Sequence, residues 1–122
     1  MTVIRNFLTA PKQTQENSHG GRGNVSLHEV WGASDFRSSV DFVDRVVVPP
    51  NSTIGRHRHG NNEEMYIVLE GQGTMTVANV PVAVKKGDMI LNPAFGEHEL
   101  VNDSVSDIDI LVIQVGIRDS GE

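Results

Sequence analysis

The stretch N-S-T-I-G-R-H-R-H-G-N-N-E-E-M-Y-I-V-L-E-G, Asn51 to Gly71, decides how this chain is read. Thr53–His59 is a short strand, Gly60-Asn61-Asn62 is a tight turn, and Glu64–Leu69 is a second strand closed by Gly71-Gln72-Gly73. Side chains alternate along a strand, so His57 and His59 share one face. The turn brings Glu63-Glu64 back beside them. A third imidazole, His98, lies on a later strand that begins after Pro93. Three imidazoles and a carboxylate form a mixed nitrogen and oxygen set. Such a set suits Mn²⁺, Fe²⁺, Ni²⁺, Co²⁺, Cu²⁺ or Zn²⁺. A six-coordinate ion on four protein ligands keeps two positions for water, a substrate or dioxygen. One carboxylate leaves a divalent ion with net positive charge, so the site attracts an anionic or polar oxygen ligand.

The same short-strand pattern extends in both directions. Upstream, Val25–Trp31 ends at Gly32 and the Val-rich Phe42–Val48 ends at Pro49-Pro50. Downstream come Thr74–Ala78, Val82–Val84, a Lys85-Lys86-Gly87-Asp88 turn, and a buried-looking Met89–Leu91. Gly96–Val101 alternates in polarity, and Ile108–Val115 is apolar on both faces. Helical signals are poor apart from a turn near Ala33–Arg37 with Ser34 as its cap. Many short strands with turn residues every ten or so positions predict an all-β sandwich or small barrel. Residues 1–24 read as an N-terminal extension and loop, and residues 25–122 as the barrel.

The chain of 122 residues is one domain by size. It has no cysteine, which removes disulfides, thiolate metal sites and thiol nucleophiles together. The net charge is −6, and its ten Lys and Arg never run beyond two in a row, so no nucleic-acid or anionic-membrane surface is expected. No signal-peptide or membrane-spanning apolar run is present, so a cytoplasmic location is expected.

Two ordered motifs resemble those of the cupins. The first motif of that family is G-x(5)-H-x-H-x(3,4)-E-x(6)-G. Asn51 takes its leading Gly position, and His57, His59, Glu64 and Gly71 fit the rest. Glu63 fails the spacing, because Glu70 stands seven residues on. The second motif is G-x(5)-P-x-G-x(2)-H-x(3)-N. Gly87, Pro93, His98 and Asn102 match it, while Phe95 replaces its second Gly and Gly96 follows. The matches span 51–71 and 87–102. The resemblance implies a double-stranded β-helix, or jelly-roll, barrel. It implies one divalent metal ion held by His57, His59, Glu64 and His98. Asn51 can adopt a left-handed turn without harm. Phe95 leaves the ligand spacing intact and is expected to reshape the turn or the pocket mouth.

Around those four residues the expectations are coarser. Tyr66 shares the parity of Glu64, and Gln114 that of Ile108, Ile110 and Val112. With Glu97 they are the candidates for acid–base work beside the ion. Arg45, Arg56 and Arg58 are candidate anion partners, although Arg56 and Arg58 alternate with the inward histidines. His19, in the Gly-rich Ser18–Asn24 loop, is read as solvated, and His28 as a surface or half-buried residue. Trp31 is read as core or dimer interface, and Val3–Leu8 with Ile108–Val115 as the contact of a homodimer. The function expected is a metalloenzyme acting on a small polar or anionic metabolite, by oxygenase or isomerase chemistry. The alternative is a non-catalytic module that binds a small ligand.

Overall fold

The computed structural model describes residues 3–117. The strands are β1 (Lys12–Glu16), β2 (Asn24–Gly32), β3 (Val40–Val48), β4 (Thr53–Arg58), β5 (Asn62–Glu70), β6 (Gln72–Val77), β7 (Val80–Lys85), β8 (Met89–Asn92), β9 (Glu97–Val101) and β10 (Ile108–Gly116). Two short 3₁₀ turns, Ser18–Gly20 and Ala33–Asp35, interrupt them. No helix among the described residues is long and apolar enough to cross a membrane.

The strands form two antiparallel sheets, ordered β1-β2-β3-β10-β5-β8 and β4-β9-β6-β7. From β3 onward the chain passes back and forth between them, as a jelly-roll requires. Alternation along each strand then delivers one face of each sheet to a shared core. Val46, Val48, Val68, Ile108 and Ile110 come from the larger sheet, and Ile54, Met75 and Leu100 from the smaller. Burying each such side chain contributes about 1.5–3 kcal/mol. Gly71 is required where β5 turns into β6: its φ is +93°, and a Cβ there would lie 2.3 Å from the Asp107 carbonyl oxygen.

Four local readings change. Lys12–Glu16 carries no apolar alternation, yet it pairs with β2 as an edge strand, Lys12 opposite His28 and Glu16 opposite Asn24. Met89–Leu91 is an edge strand too, and Met89 and Leu91 are exposed rather than buried. Asp35, not Ser34, closes the Ala33–Asp35 turn, its Oδ2 accepting from the Gly32 N–H at 2.9 Å. Trp31 is half-buried under the Arg5 guanidinium, 4.2 Å from its ring centre.

Polarity is graded along the barrel. Within β5, Val68 gives way to Tyr66 and then Glu64; within β9, Leu100 gives way to His98; within β10, Ile110 and Val112 give way to Gln114. One end of the interior is therefore hydrocarbon and the other is polar.

Candidate metal centre

The polar end gathers the four histidine and glutamate side chains. His57 and His98 are direct partners across β4 and β9. Ile54 and His57 both face inward although they are three positions apart, because the β4–β9 register shifts between them. His59 follows β4, its N–H donating to the Gly96 carbonyl at 2.9 Å. Glu64 comes across from β5 of the other sheet. Ligand-capable atoms of all four lie within 4.8 Å of one another, with His59, Glu64 and His98 buried and His57 half-buried.

Hydrogen bonds orient two of the rings. His57 Nδ1 donates to the Gly55 carbonyl at 2.8 Å, and His59 Nδ1 donates to Asn62 Oδ1 at 2.8 Å. Both partners are acceptors, so each Nδ1 carries a proton and each ring turns its Nε2 toward the cluster. Burial pushes His57 down to about 4 despite its bond to Gly55, with its histidine neighbours adding to the fall. Burial alone would raise Glu64. The bond to His98 and the charges of the surrounding histidines outweigh it and hold the carboxyl below its usual range. Glu64 Oε1 lies 3.1 Å from His59 Nε2 and 3.3 Å from His98 Nε2, and the two Nε2 atoms are 3.4 Å apart. Donors about 2.0–2.2 Å from one ion are separated by about 3.0–3.5 Å at ordinary coordination angles. A carboxylate and three imidazole nitrogens at these separations form a donor set that fits a divalent transition metal.

Tyr66 is buried, and its Oη lies 3.2 Å from His98 Nε2. Burial and the charge of Glu64 push its phenol well above the usual range, so it stays a proton carrier. Gln114 pairs across from Glu64 on β10, but its Nε2 donates to Asp41 Oδ2 at 2.9 Å. Glu97 does not reach the cluster. It follows the opposite parity to His98 and lies on the outer face, 3.6 Å from Arg56 and 3.4 Å from Arg58. Arg45 is also on an outer face and is committed to Asp109 by two 2.8 Å bonds. Phe95 is exposed on the β8–β9 turn with a φ of +59° and does not line the cavity beside the cluster.

That cavity, about 190 Å³, is bounded by His57, Glu64 and Tyr66 on one side and by Asp44 among apolar residues on another. His19 closes its mouth, a role the sequence did not signal. The His19 ring stacks on His57 with centres 3.8 Å apart, while the residue keeps much of its surface in solvent. Partial burial lowers its pKa. The loop that carries it leans on Gly55, where a Cβ would meet the His19 carbonyl oxygen at 2.4 Å. A larger recess of about 700 Å³ lies between the N-terminal arm and β2, far from any histidine cluster. Of the two, the smaller cavity adjoins the cluster, through His57 and Glu64.

A family model described as a cupin domain matches residues 44–114. The chain belongs to the cupins. This cupin is 25% identical over 111 residues to a Thermotoga maritima protein named oxalate-binding protein, covering 91% of each chain. It is 43% identical over 76 residues to an uncharacterised Methanocaldococcus jannaschii protein, covering 62% of this chain and 61% of that one. The cupin also superimposes on the crystal structure of a predicted oxalate decarboxylase from T. maritima with a TM-score of 0.91. That match has 22% identity and covers 94% of this chain and all of the other. At that identity, the likeness establishes the barrel.

Proposed function

We propose that this cupin holds one divalent transition-metal ion on His57, His59, Glu64 and His98 and acts as a metalloenzyme on a small polar or anionic metabolite. One observation carries the reading: three imidazoles and one carboxylate converge within 4.8 Å, and two of the four, His57 and Glu64, line a cavity of about 190 Å³. When bound, the ion supplies Lewis acidity toward a ligand oxygen. The protein's own contribution is orientation and a proton. Gly55 and Asn62 fix the ring tautomers, and Tyr66 holds an O–H beside His98. The name of the T. maritima relative favours a second reading, in which the barrel binds a small carboxylate without converting it.

Metal analysis of the purified chain, before and after reconstitution with Mn²⁺, Fe²⁺, Ni²⁺ or Zn²⁺, tests the shared premise. One ion per chain is expected, and no uptake sinks both readings. Incubation of the loaded protein with small hydroxy, keto and dicarboxylic acids, followed by oxygen uptake and product separation, divides them. Bound acid recovered unchanged supports the binding module.

The homodimer is proposed on the outer face of the larger sheet. A row of Leu91, Met65, Ile113 and Val43 crosses four strands there, with Met89 exposed beside it. A light-scattering mass of a single chain at micromolar concentration would exclude it.

A further inference from the structure

Asp44 is the one acidic residue on the inner face of β3, where its row otherwise reads Phe42, Val46 and Val48. It is 8% exposed, and its Oδ1 finds no hydrogen-bond donor. Among the described residues it caps no turn and pairs with no cation. The guanidinium nearest in sequence, Arg45, points to the opposite face and is held by Asp109. The charged groups that bear on Asp44 are acidic: Glu29, its cross-strand partner on β2, and Glu64 across the cavity. Burial, then those two charges, push its carboxyl up to about 6. His19 and His57 are the other titratable side chains lining the cavity besides Tyr66, and no lysine or arginine lines it. A buried carboxyl without a partner costs free energy, so its presence on an apolar row calls for a ligand.

We propose that Asp44 is a second polar subsite of the cavity, which takes the hydroxyl of a small hydroxy acid whose carboxylate end is held at the metal centre. The proposal rests on the metal reading above and names the substrate class of that site. Volume sets the size: about 190 Å³ is the share of roughly six waters, which fits an acid of about three or four carbons. Donor chemistry sets the class. A carboxyl oxygen accepts from a hydroxyl whether or not Asp44 is protonated, and a hydroxyl also accepts from a protonated carboxyl. Oxalate dianion offers acceptors alone and meets Asp44 as a like charge. The subsite therefore discriminates against oxalate and in favour of a short hydroxy acid.

Calorimetry on the Mn²⁺-loaded full chain, with glycerate and oxalate as probes, tests this. Glycerate is expected to bind the wild type about tenfold more tightly than oxalate, the scale of one charge-assisted hydrogen bond gained and one like-charge contact avoided. Asp44→Val removes the hydrogen bond and is expected to weaken glycerate about tenfold without weakening oxalate. Asp44→Asn keeps shape and hydrogen bonding but removes the charge, so oxalate tightens while glycerate changes little. This isosteric variant keeps the test open if the valine variant does not fold. A wild type that prefers oxalate, or a glycerate-to-oxalate ratio that neither substitution lowers, overturns the proposal. Metal content measured on the same samples separates the failures. A metal-loaded protein with an unmoved ratio overturns the Asp44 subsite alone, whereas a protein without metal overturns the metal reading and the subsite with it.

Discussion

His98 and Asn102 lie four residues apart, about 13 Å along an extended chain, and both are almost completely buried. Asn102 is satisfied by the protein itself. Its Nδ2 donates to the carbonyls of Val48 and Ser106 at 2.8 and 2.7 Å, and its Oδ1 accepts from the Ser104 N–H and hydroxyl at 3.0 and 2.8 Å. His98 is not. Its Nε2 faces Glu64, Tyr66 and His59 at 3.2–3.4 Å, and one ring nitrogen carries at most one proton. Motif matching alone singles out both residues equally. The hydrogen bonds separate them: the completed group holds a turn, and the incomplete one stands where the proposed cation would bind.

The largest expected effect tests that division by substitution at both ends. Asn102→Ala removes four hydrogen bonds and leaves two carbonyls short of a donor, a loss of about 3 kcal/mol. Glu64→Gln, measured in chelator, is expected to change stability by less than about 1 kcal/mol, because the amide keeps the shape and can bond a neutral imidazole. Adding Mn²⁺ should raise the melting temperature of wild type and of Asn102→Ala, and leave Glu64→Gln unmoved. Urea unfolding with and without metal measures both terms. Equal losses for Asn102→Ala and Glu64→Gln in chelator would make the histidine cluster a structural network and erase the contrast.

Asp44 extends the incomplete side and gives it a pH signature. Its carboxyl ordinarily titrates at 3.8 and stands at about 6 in the folded chain. The folded state thus holds the proton more tightly than the unfolded state. The stabilisation is complete below about pH 4, is lost as pH rises through 6, and is absent at pH 7. The shift corresponds to about 3 kcal/mol at most, and to about 1–2 kcal/mol once water reaching the cavity is allowed for. Asp44→Asn does not titrate. In metal-free protein it should match wild type near pH 4 and exceed it by that amount at pH 7. Urea midpoints across pH 4–8 measure the gap. A gap that does not change with pH would mean Asp44 keeps its ordinary pKa, and would remove it from the incomplete set.

The barrel and the clustering of His57, His59, Glu64 and His98 were legible because they rest on local periodicity. The two-residue spacing of His57 and His59, the parity of Glu64 and Tyr66, and the turn residues between strands all translate directly into faces and hairpins. Glu97 was misplaced although the same rule applies: adjacent to an inward His98, it must point outward, beside Arg56 and Arg58. His19 was illegible for a different reason. It reaches His57 through a backbone with positive φ at Asn17 and His19, and through the close approach of its loop to Gly55, none of which has a periodic signal. Asp44 was hidden by its setting, since one acid in a valine-rich strand reads as an outward residue until the register places it inside. Met89 and Leu91 misled in the opposite sense, because apolar composition does not distinguish an inner strand from the outer row of an edge strand.

The two departures from the family pattern also fall at opposite ends, and they predict the smallest effect. Asn51, at the satisfied end, donates its N–H to the Asn102 carbonyl at 3.1 Å with a φ of +63°. Asparagine tolerates that conformation, so Asn51→Gly should be close to neutral. Phe95, at the site end, takes a φ of +59° with a bulky side chain that is 60% exposed and packs on little. The left-handed conformation costs a residue of this kind about 1–2 kcal/mol. Phe95→Gly should recover up to about 1 kcal/mol, net of the greater freedom glycine has when unfolded, and Phe95→Ala should recover none of it. Thermal melting of the three variants measures the ranking. Metal and glycerate affinity give that ranking its meaning, because strain that is retained at a site is commonly tied to positioning. The Phe95 N–H donates to the Gly60 carbonyl at 3.1 Å, and the Gly96 carbonyl accepts from the His59 N–H at 2.9 Å, so this turn is bonded directly to a ligand's backbone. If Phe95→Gly gains stability and keeps both affinities, the strain is local to the turn. If it gains stability and loses metal, the turn belongs with His59 and His98, and the incomplete end of the barrel extends to its rim.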